Sequence, residues 1–289
     1  MAAQKFNTTS LARGLVSILL FLVLWEIGSR SKHWLGADIF GPLREALGAM
    51  GFKKTYIPWI GAVPAPTEVL RAWVDVIGDA GYWPSWYMSS FRVAAGFVAA
   101  MLIGIPFGLM LAVNRTAFGI GFPVFEVLRP IPPLAWVPAS IIFWPTQEMS
   151  IAFVTFLGAF YTIVINVVGG ARSIDGRYFQ AAQSMGSSRW DIFRRIILPG
   201  TLPSIVVGSA VGMGITWEVV VAAEMISGGG SQIGGTGGGG LGFFIWNSYV
   251  GGSYEQIVVG MISIGIAGFI SSELLRSLGK YVTPWLRLR

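Results

Sequence analysis

The sequence contains no cysteine and a single histidine, His33, among its 289 residues. Without thiols, neither a disulfide framework nor a thiolate metal site can form, and one imidazole without a second ligand nearby makes no metal centre. We therefore interpret His33 as a solvated loop residue.

Charged residues are also scarce, at 12% of the chain against 54% hydrophobic residues. Soluble domains carry about 25% charged residues, so the composition predicts a polytopic membrane protein.

Several chemical motifs are missing as well. The sequence has no Gly-x4-Gly-Lys-Ser/Thr, no His-Glu-x-x-His and no Gly-x-Ser-x-Gly, which argues against a membrane enzyme. The glycine-rich run 228–240 is not followed by lysine, so we interpret it as a flexible loop outside the membrane. Although the net charge is +6, the basic residues cluster in short loops beside apolar runs. No nucleic acid is therefore expected as a partner. Because no phosphate-binding motif occurs in the sequence, no nucleotide or other cofactor is expected in this chain.

Apolar runs predict about six transmembrane helices and hence an all-α fold, because about 20 apolar residues cross a bilayer. The clearest run starts at Phe91, with Arg92 beside it, and ends at Val113. The first run is also compatible with a signal-peptide core, but no convincing cleavage site follows it, so we expect a retained helix. The predicted spans are 14–27, 91–113, 118–144, 151–168, 203–226 and 257–275.

The sequence predicts a division near residue 90. Residues 1–90 would hold the first span and an extramembrane segment, and residues 91–289 a core of five spans in which the loop 169–202 joins the fourth span to the fifth. Thr67 is predicted to cap an amphipathic helix that lies on the membrane surface. A small soluble domain is the alternative, but it would bury little core. The predicted apolar face comprises Val69, Leu70, Trp73, Val74 and Ile77.

Basic residues favour one orientation in the membrane. Arg115, five arginines in 169–202 and four basic residues after the last span fall on the side of the N-terminus, whereas 145–150 and 227–256 contain no lysine or arginine. Short cytoplasmic loops are enriched in basic residues. The N-terminus, the loop 169–202 and the C-terminus are therefore predicted to be cytoplasmic.

Charged residues inside the spans are candidates for a solute pathway, since such residues usually face a bundle interior or an aqueous route. Five prolines interrupt the third span, which also holds Glu126 and Arg129. Broken helices are tolerated at this depth when they pack in protein or line a cavity. A structural Glu126–Arg129 pair near the interface is the alternative to a pathway role. The pathway candidates are Arg129, Trp217, Glu218 and Glu224.

The loop 169–202 has the pattern of a helix, a sharp turn and a second helix. Gly186 is predicted to adopt the left-handed conformation that ends the first helix, and Ser188 with Asp191 to cap the second, which would stop at Pro199. A connector lying on the membrane is the alternative to a docking element. The predicted docking surface combines an apolar stripe with a small-residue patch, namely Ile192, Phe193, Ile196 and Ile197 with Ala181 and Ala182.

This loop resembles the coupling motif of permease subunits in bacterial binding-protein-dependent ABC importers, Glu-Ala-Ala, three residues, Gly, nine residues, Ile-x-Leu-Pro. We call residues 169–202 the coupling loop. The segment 128–138 is similar to permeases for nitrate, sulfonates such as taurine, and bicarbonate, and the resemblance extends from residue 64 to the end. The coupling residues that it implies are Gln180, in place of the glutamate, with Ala181, Ala182, Gly186, Ile196, Leu198 and Pro199.

The resemblance implies a type I ABC importer permease fold and import of a small anion across the bacterial cytoplasmic membrane. It also implies a second permease copy, most simply a homodimer, two ATPase subunits that bind ATP and Mg, and a periplasmic or lipid-anchored solute-binding protein, all in contact with membrane lipid. A permease for another solute class is one alternative. A secondary transporter or channel working alone is another, although inverted internal repeats are not evident.

Overall fold

The computed structural model describes residues 8–34, 40–51, 60–227 and 239–285. Within these ranges the regular structure is helical and no strand occurs, as predicted. The described residues group into two units, one formed by residues up to 78 with 248–259, the other by 79–247 with 260–285. The glycine-rich run lies outside the described residues except for Gly239 and Gly240.

The helices are α1 (Thr8–Ser29), α2 (Ser31–Trp34), α3 (Gly41–Ala49), α4 (Pro66–Ile77), α5 (Tyr82–Val113), α6 (Arg115–Leu128), α7 (Val137–Phe143), α8 (Gln147–Arg172), α9 (Gly176–Ser184), α10 (Arg189–Ile192), α11 (Leu198–Ile226), α12 (Leu241–Val250) and α13 (Tyr254–Val282). Short 3₁₀ turns cover Ile60–Ala62 and Pro133–Trp136. A π-helical turn, Phe193–Ile197, joins α10 to α11.

Five stretches of helix in the described ranges are long and apolar enough to cross a membrane: Ala12–Ser29, Tyr82–Val113, Gln147–Arg172, Arg189–Ile226 and Tyr254–Val282. The predicted third span, 118–144, is instead divided into α6, a 3₁₀ turn and α7. Proline has no N–H to donate and restricts the residue before it, so the prolines at 130, 132 and 133 end α6.

In the second unit, α8 packs along both α5 and α11. Glycines on α5 make the α5–α8 contact close. A Cβ at Gly96 would lie 2.8 Å from Thr155 Cβ, and a Cβ at Gly108 would lie 2.9 Å from Val167 Cβ. Small residues let helix backbones approach in this way. The three helices therefore form the centre that positions the candidate site.

The amphipathic helix α4 is present, but Thr67 is not its cap. Ala65 is the N-cap residue, and its backbone N–H donates to the Glu68 carboxylate at 2.9 Å. The Thr67 hydroxyl donates instead to Glu26 at 3.0 Å, so its oxygen serves α1 rather than the start of α4. Val69 is buried, whereas Leu70, Val74 and Ile77 are exposed.

Candidate functional site

The turn at Gly186 has the predicted left-handed geometry. Its φ is +75°, a conformation that residues with a Cβ adopt at a cost. The Gly186 N–H donates to the Gln183 carbonyl at 3.0 Å, and the Ser187 N–H donates to the Ala182 carbonyl at 3.0 Å. These two bonds constitute a Schellman motif, which satisfies the last carbonyls of α9. The angle between α9 and α10 is thereby fixed by backbone bonds.

Side-chain caps define the start of both helices. Asp175 accepts from the Arg177 backbone N–H at 2.9 Å at the start of α9. Bonds from the Arg177 side chain and backbone lower the pKa of the Asp175 carboxyl. At α10, the Asp191 N–H donates to the Ser188 hydroxyl oxygen at 3.1 Å, while Asp191 Oδ2 accepts from the Ser188 N–H at 3.3 Å. This is the predicted cap for the second helix.

The second helix does not stop at Pro199, which corrects the sequence prediction. The chain stays helical from Arg189 through the π turn to Ile226. A proline ring in a helix clashes with the carbonyl four residues earlier and removes one hydrogen bond. The π turn that ends at Ile197 places Pro199 in the first turn of α11, where no N–H is needed. α10, the π turn and α11 are therefore one continuous run of helix, Arg189–Ile226, which joins the last part of the coupling loop to the fifth span.

The exposed face of the coupling loop differs from the predicted docking face. Ile192, Ile197 and Ala182 are buried in the core of the unit, and the rest of the isoleucine stripe packs against that core. The stripe therefore attaches α10 to the spans instead of facing outward. Ala181 and Gln180 are exposed. Three large apolar side chains are exposed with them, Tyr178, Met185 and Trp190, at 63%, 77% and 67%.

A second feature is a buried cluster of three charges, Arg92, Glu148 and Glu224, which we call the ion cluster. Arg92 donates to both carboxylate oxygens of Glu148, from Nε at 2.8 Å and from Nη2 at 2.6 Å. Its Nη1 donates to Glu224 at 2.9 Å. The Arg92 and Glu224 side chains are 2% and 0% exposed, and that of Glu148 is 34% exposed. Pairs buried in this way need further hydrogen bonds.

Those further bonds come from α5 and from the start of α12. The Ser89 hydroxyl lies 2.8 Å from a Glu224 oxygen, and the Gly242 N–H donates to the same carboxylate at 2.9 Å. Arg92 also donates to the Gly239 carbonyl at 2.9 Å. Gly240 has φ +99°, and a Cβ there would lie 2.3 Å from the Glu224 carboxyl carbon. Only glycine permits this approach of backbone to carboxylate.

The ion cluster joins four elements: α5 through Arg92, the first turn of α8 through Glu148, the last turn of α11 through Glu224, and the chain entering α12. Sequence analysis singled out Glu224 but missed Arg92 and Glu148. The sequence does indicate a paired charge at Arg92, because Arg92 lies in the clearest apolar run and charges inside spans usually pair.

The remaining pathway candidates lie apart from this cluster. Trp217 is buried, and its indole N–H donates to the Ser271 hydroxyl at 2.9 Å. Glu218 is exposed on a stripe of α11 with Val207, Val211 and Gly214. Arg129 follows α6 directly, and its Nη1 lies 3.6 Å from Glu126, so the predicted pair forms. Both side chains of that pair are partly exposed, and a pathway role for Arg129 stays a prediction.

The sequence from residue 104 to residue 288 matches the family described as binding-protein-dependent transport system inner membrane component. The chain belongs to this family. It is therefore a multi-pass inner-membrane permease subunit of an ABC importer, a transport component rather than an enzyme.

Similar proteins include permeases named for nitrate, taurine and bicarbonate transport. The nitrate import permease protein NrtB of Leptolyngbya laminosa is 33% identical over 76% of this chain and 78% of its own length. The taurine transport system permease protein TauC of Escherichia coli K12 is 32% identical over 77% and 80%. The bicarbonate transport system permease protein CmpB of Synechococcus elongatus is 31% identical over 93% and 88%. The resemblance drawn from the sequence is confirmed.

Solved structures show the same fold. The MetNI methionine ABC transporter in an inward-facing conformation has a TM-score of 0.53 and 21% identity, over 75% of this chain and 97% of that one. A bacterial alginate ABC transporter, solved with its alginate-bound periplasmic protein, has a TM-score of 0.54 and 14% identity over 97% and 99%. The predicted importer permease fold is confirmed.

Proposed function

We propose that this chain forms one half of the membrane pathway of an ATP-driven importer for a small anion, and that the coupling loop transmits motion from a partner ATPase. The observation that carries the proposal is the continuity of α10, the π turn and α11. A force applied at Trp190, or passed from Tyr178 and Met185 through the Gly186 turn, would act on a continuous helix that reaches the ion cluster at the other end of α11. The Schellman motif fixes the angle between α9 and α10 by two backbone hydrogen bonds, so motion of α9 would be passed on to α10.

In this proposal the coupling loop lies in the cytoplasm, as the distribution of basic residues favours. Two ATPase subunits would bind ATP and Mg, and a periplasmic or lipid-anchored binding protein would deliver the solute. The bacterial alginate ABC transporter, which has a similar fold, was solved in complex with a periplasmic protein that holds an alginate pentasaccharide. Gln180 stands where the family motif has glutamate, so the contact with the ATPase would rely on apolar packing rather than on charge at that position.

A second permease copy would complete the pathway. The exposed stripe on α11, formed by Val207, Val211, Gly214 and Glu218, follows the i, i+4, i+7, i+11 spacing of one helix face. The rest of α11 is mostly buried in its own chain. A central helix with one exposed stripe that carries a carboxylate is suited to an aqueous route shared with another copy. We therefore place α11 at the interface of a homodimer.

Cross-linking tests the homodimer. The sequence has no cysteine, so an engineered cysteine is the only thiol in the permease that can form a disulfide. We expect Val207→Cys and Val211→Cys to form a disulfide-linked permease dimer in the assembled complex, because both side chains are exposed, at 57% and 47%. The matched control is Val220→Cys, since Val220 is fully buried in its own chain. Absence of dimer at 207 and 211, on non-reducing gels, would contradict the placement of α11.

The anion assignment rests on the nitrate, taurine and bicarbonate relatives. The span charges alone give no preference for anions, because Glu218 is exposed and would repel one. Selectivity in such systems need not reside in the pore, which must only avoid trapping the solute. Delivery by a binding protein would therefore decide which solute enters.

Uptake into proteoliposomes tests the solute class. We expect the reconstituted complex to accumulate one of labelled nitrate, bicarbonate or taurine, and to ignore a peptide and a sugar. Arg129→Ala is expected to lower uptake severalfold if Arg129 contacts the solute, with Arg276→Ala as a control outside the third predicted span. Uptake of the peptide or sugar alone would overturn the anion class. Unchanged uptake in Arg129→Ala would remove Arg129 from the pathway and leave the class intact.

A further inference from the structure

A cavity of about 450 Å³ lies between the coupling loop and the C-terminal ends of α5 and α8. Val113 at the end of α5 and Arg172 at the end of α8 form one side, and α9 and α10 form the other. Both spans end here, so the cavity lies at the edge of the apolar part of the protein. Its volume is in the range of sites for small organic ligands.

The polar lining of the cavity is cationic. Arg172 and Arg189 line it together with the amide of Gln183, and none of the described lining residues carries a carboxylate. The nearby acids have other partners: Asp175 pairs with Arg177, and Asp191 bonds Ser188 and lies 3.8 Å from Arg195. The site therefore favours an anion.

Arg172 is held in place by an aromatic ring. Its guanidinium carbon lies 3.3 Å from the centre of the Phe118 ring. A stacked guanidinium keeps the N–H groups of its edge available, and its planar fork matches the oxygens of a phosphate. The remaining walls, including Val113, Phe179 and Ile192, are apolar. A ligand that combines a phosphate with an apolar body matches both parts of the lining.

We propose that this cavity binds an anionic phospholipid, with its phosphate between Arg172 and Arg189 and its apolar portion against the walls. Basic pockets between helices at the membrane surface bind anionic headgroups. Free inorganic phosphate shares the charge but would leave the apolar walls uncovered. The lipid would tie the end of α8 to α10, and so would fix the coupling loop to the spans. A dependence of coupling on this lipid rests on the proposed function, whereas its binding does not.

Native mass spectrometry of the complex, purified from vesicles of phosphatidylglycerol and phosphatidylcholine, measures the binding. We expect retention of phosphatidylglycerol over phosphatidylcholine by about tenfold, because both lipids offer a phosphate but Arg172 and Arg189 would repel the choline cation of phosphatidylcholine. Arg189→Gln should abolish this preference, and Arg189→Lys should keep part of it. The matched control is Arg195→Gln, since Arg195 is 80% exposed, belongs to the same loop and does not line the cavity. It should retain the full preference.

Two results would overturn the proposal. The first is equal retention of phosphatidylglycerol by the natural chain and by Arg189→Gln. The second is displacement of the lipid by millimolar inorganic phosphate, which would identify a free-phosphate site instead. Thermal unfolding of each variant identifies a folding defect. If Arg189→Gln is defective, Arg189→Lys, which keeps the positive charge, is compared with the natural chain instead. A natural complex that retains phosphatidylglycerol but imports none of the tested anions would count against the proposed function and leave the lipid site standing.

Discussion

Replacing Arg92 with glutamine is expected to destabilise the protein strongly. The substitution leaves Glu224, which is fully buried, without its cation, and Glu148 loses two hydrogen bonds. Removing one partner of a buried ion pair costs about 3–5 kcal/mol, because the other charge stays buried and uncompensated. At about 2–4 °C per kcal/mol for a chain of this size, the melting temperature should fall by ~10 °C. Thermal unfolding of the purified protein measures this.

Two further variants separate charge from packing. Arg92→Gln combined with Glu224→Gln removes the uncompensated charge, so it should recover most of the stability lost by Arg92→Gln alone. Arg276→Gln removes an exposed cation that lies 3.5 Å from Glu273. Exposed pairs are worth about 0–1 kcal/mol, so this control should change the melting temperature little. Equal losses for Arg92→Gln and Arg276→Gln would contradict the buried ion cluster.

Gly186→Val is expected to uncouple ATP hydrolysis from uptake while membrane insertion stays normal. Gly186 has φ +75°, and a β-branched residue there is strained by about 1–2 kcal/mol or more. Such a strain shifts an equilibrium by about five- to thirtyfold. The Schellman turn would open, and the angle between α9 and α10 would no longer be fixed. Reconstituted vesicles should therefore hydrolyse ATP but import at least about fivefold less solute.

The matched control is Gly176→Val in the same loop. Gly176 begins α9 with an ordinary φ, and a Cβ there meets nothing within 4 Å. We expect this variant to import nearly normally, because it tests added bulk without strain at the turn. Normal transport by Gly186→Val, or an equal defect in Gly176→Val, would show that the left-handed turn is not needed for coupling.

Local rules were sufficient for the turn of the coupling loop. Glycine at the end of a helix and Ser188 three residues before Asp191 are short-range patterns, and both adopt the expected geometry. The prolines at 130, 132 and 133 likewise predicted a broken third span. The family also followed from residues close together in the sequence, since the coupling motif is a fixed local spacing.

The direction in which a helix face points and the pairing of distant charges depend on long-range contacts, which the sequence alone does not show. Periodicity showed that Ile192 and Ile197 share a face, but not whether that face meets the chain's own spans or a partner. The structure turns it inward and exposes Trp190 and Met185. Arg92 and Glu224 are 132 residues apart, so their pairing depends on how α5 packs against α11. The rule that proline ends a helix also fails to predict the π turn before Pro199.

The central claim is that this permease works only with an ATPase that engages the coupling loop. The most direct measurement is uptake of labelled nitrate, bicarbonate and taurine by proteoliposomes that contain the permease, the ATPase and the binding protein, with ATP on the ATPase side. Uptake of one of these solutes should require all three proteins and ATP, and should stop when the ATPase is omitted. Accumulation by the permease alone, driven by an ion gradient, would contradict the claim and identify a secondary transporter.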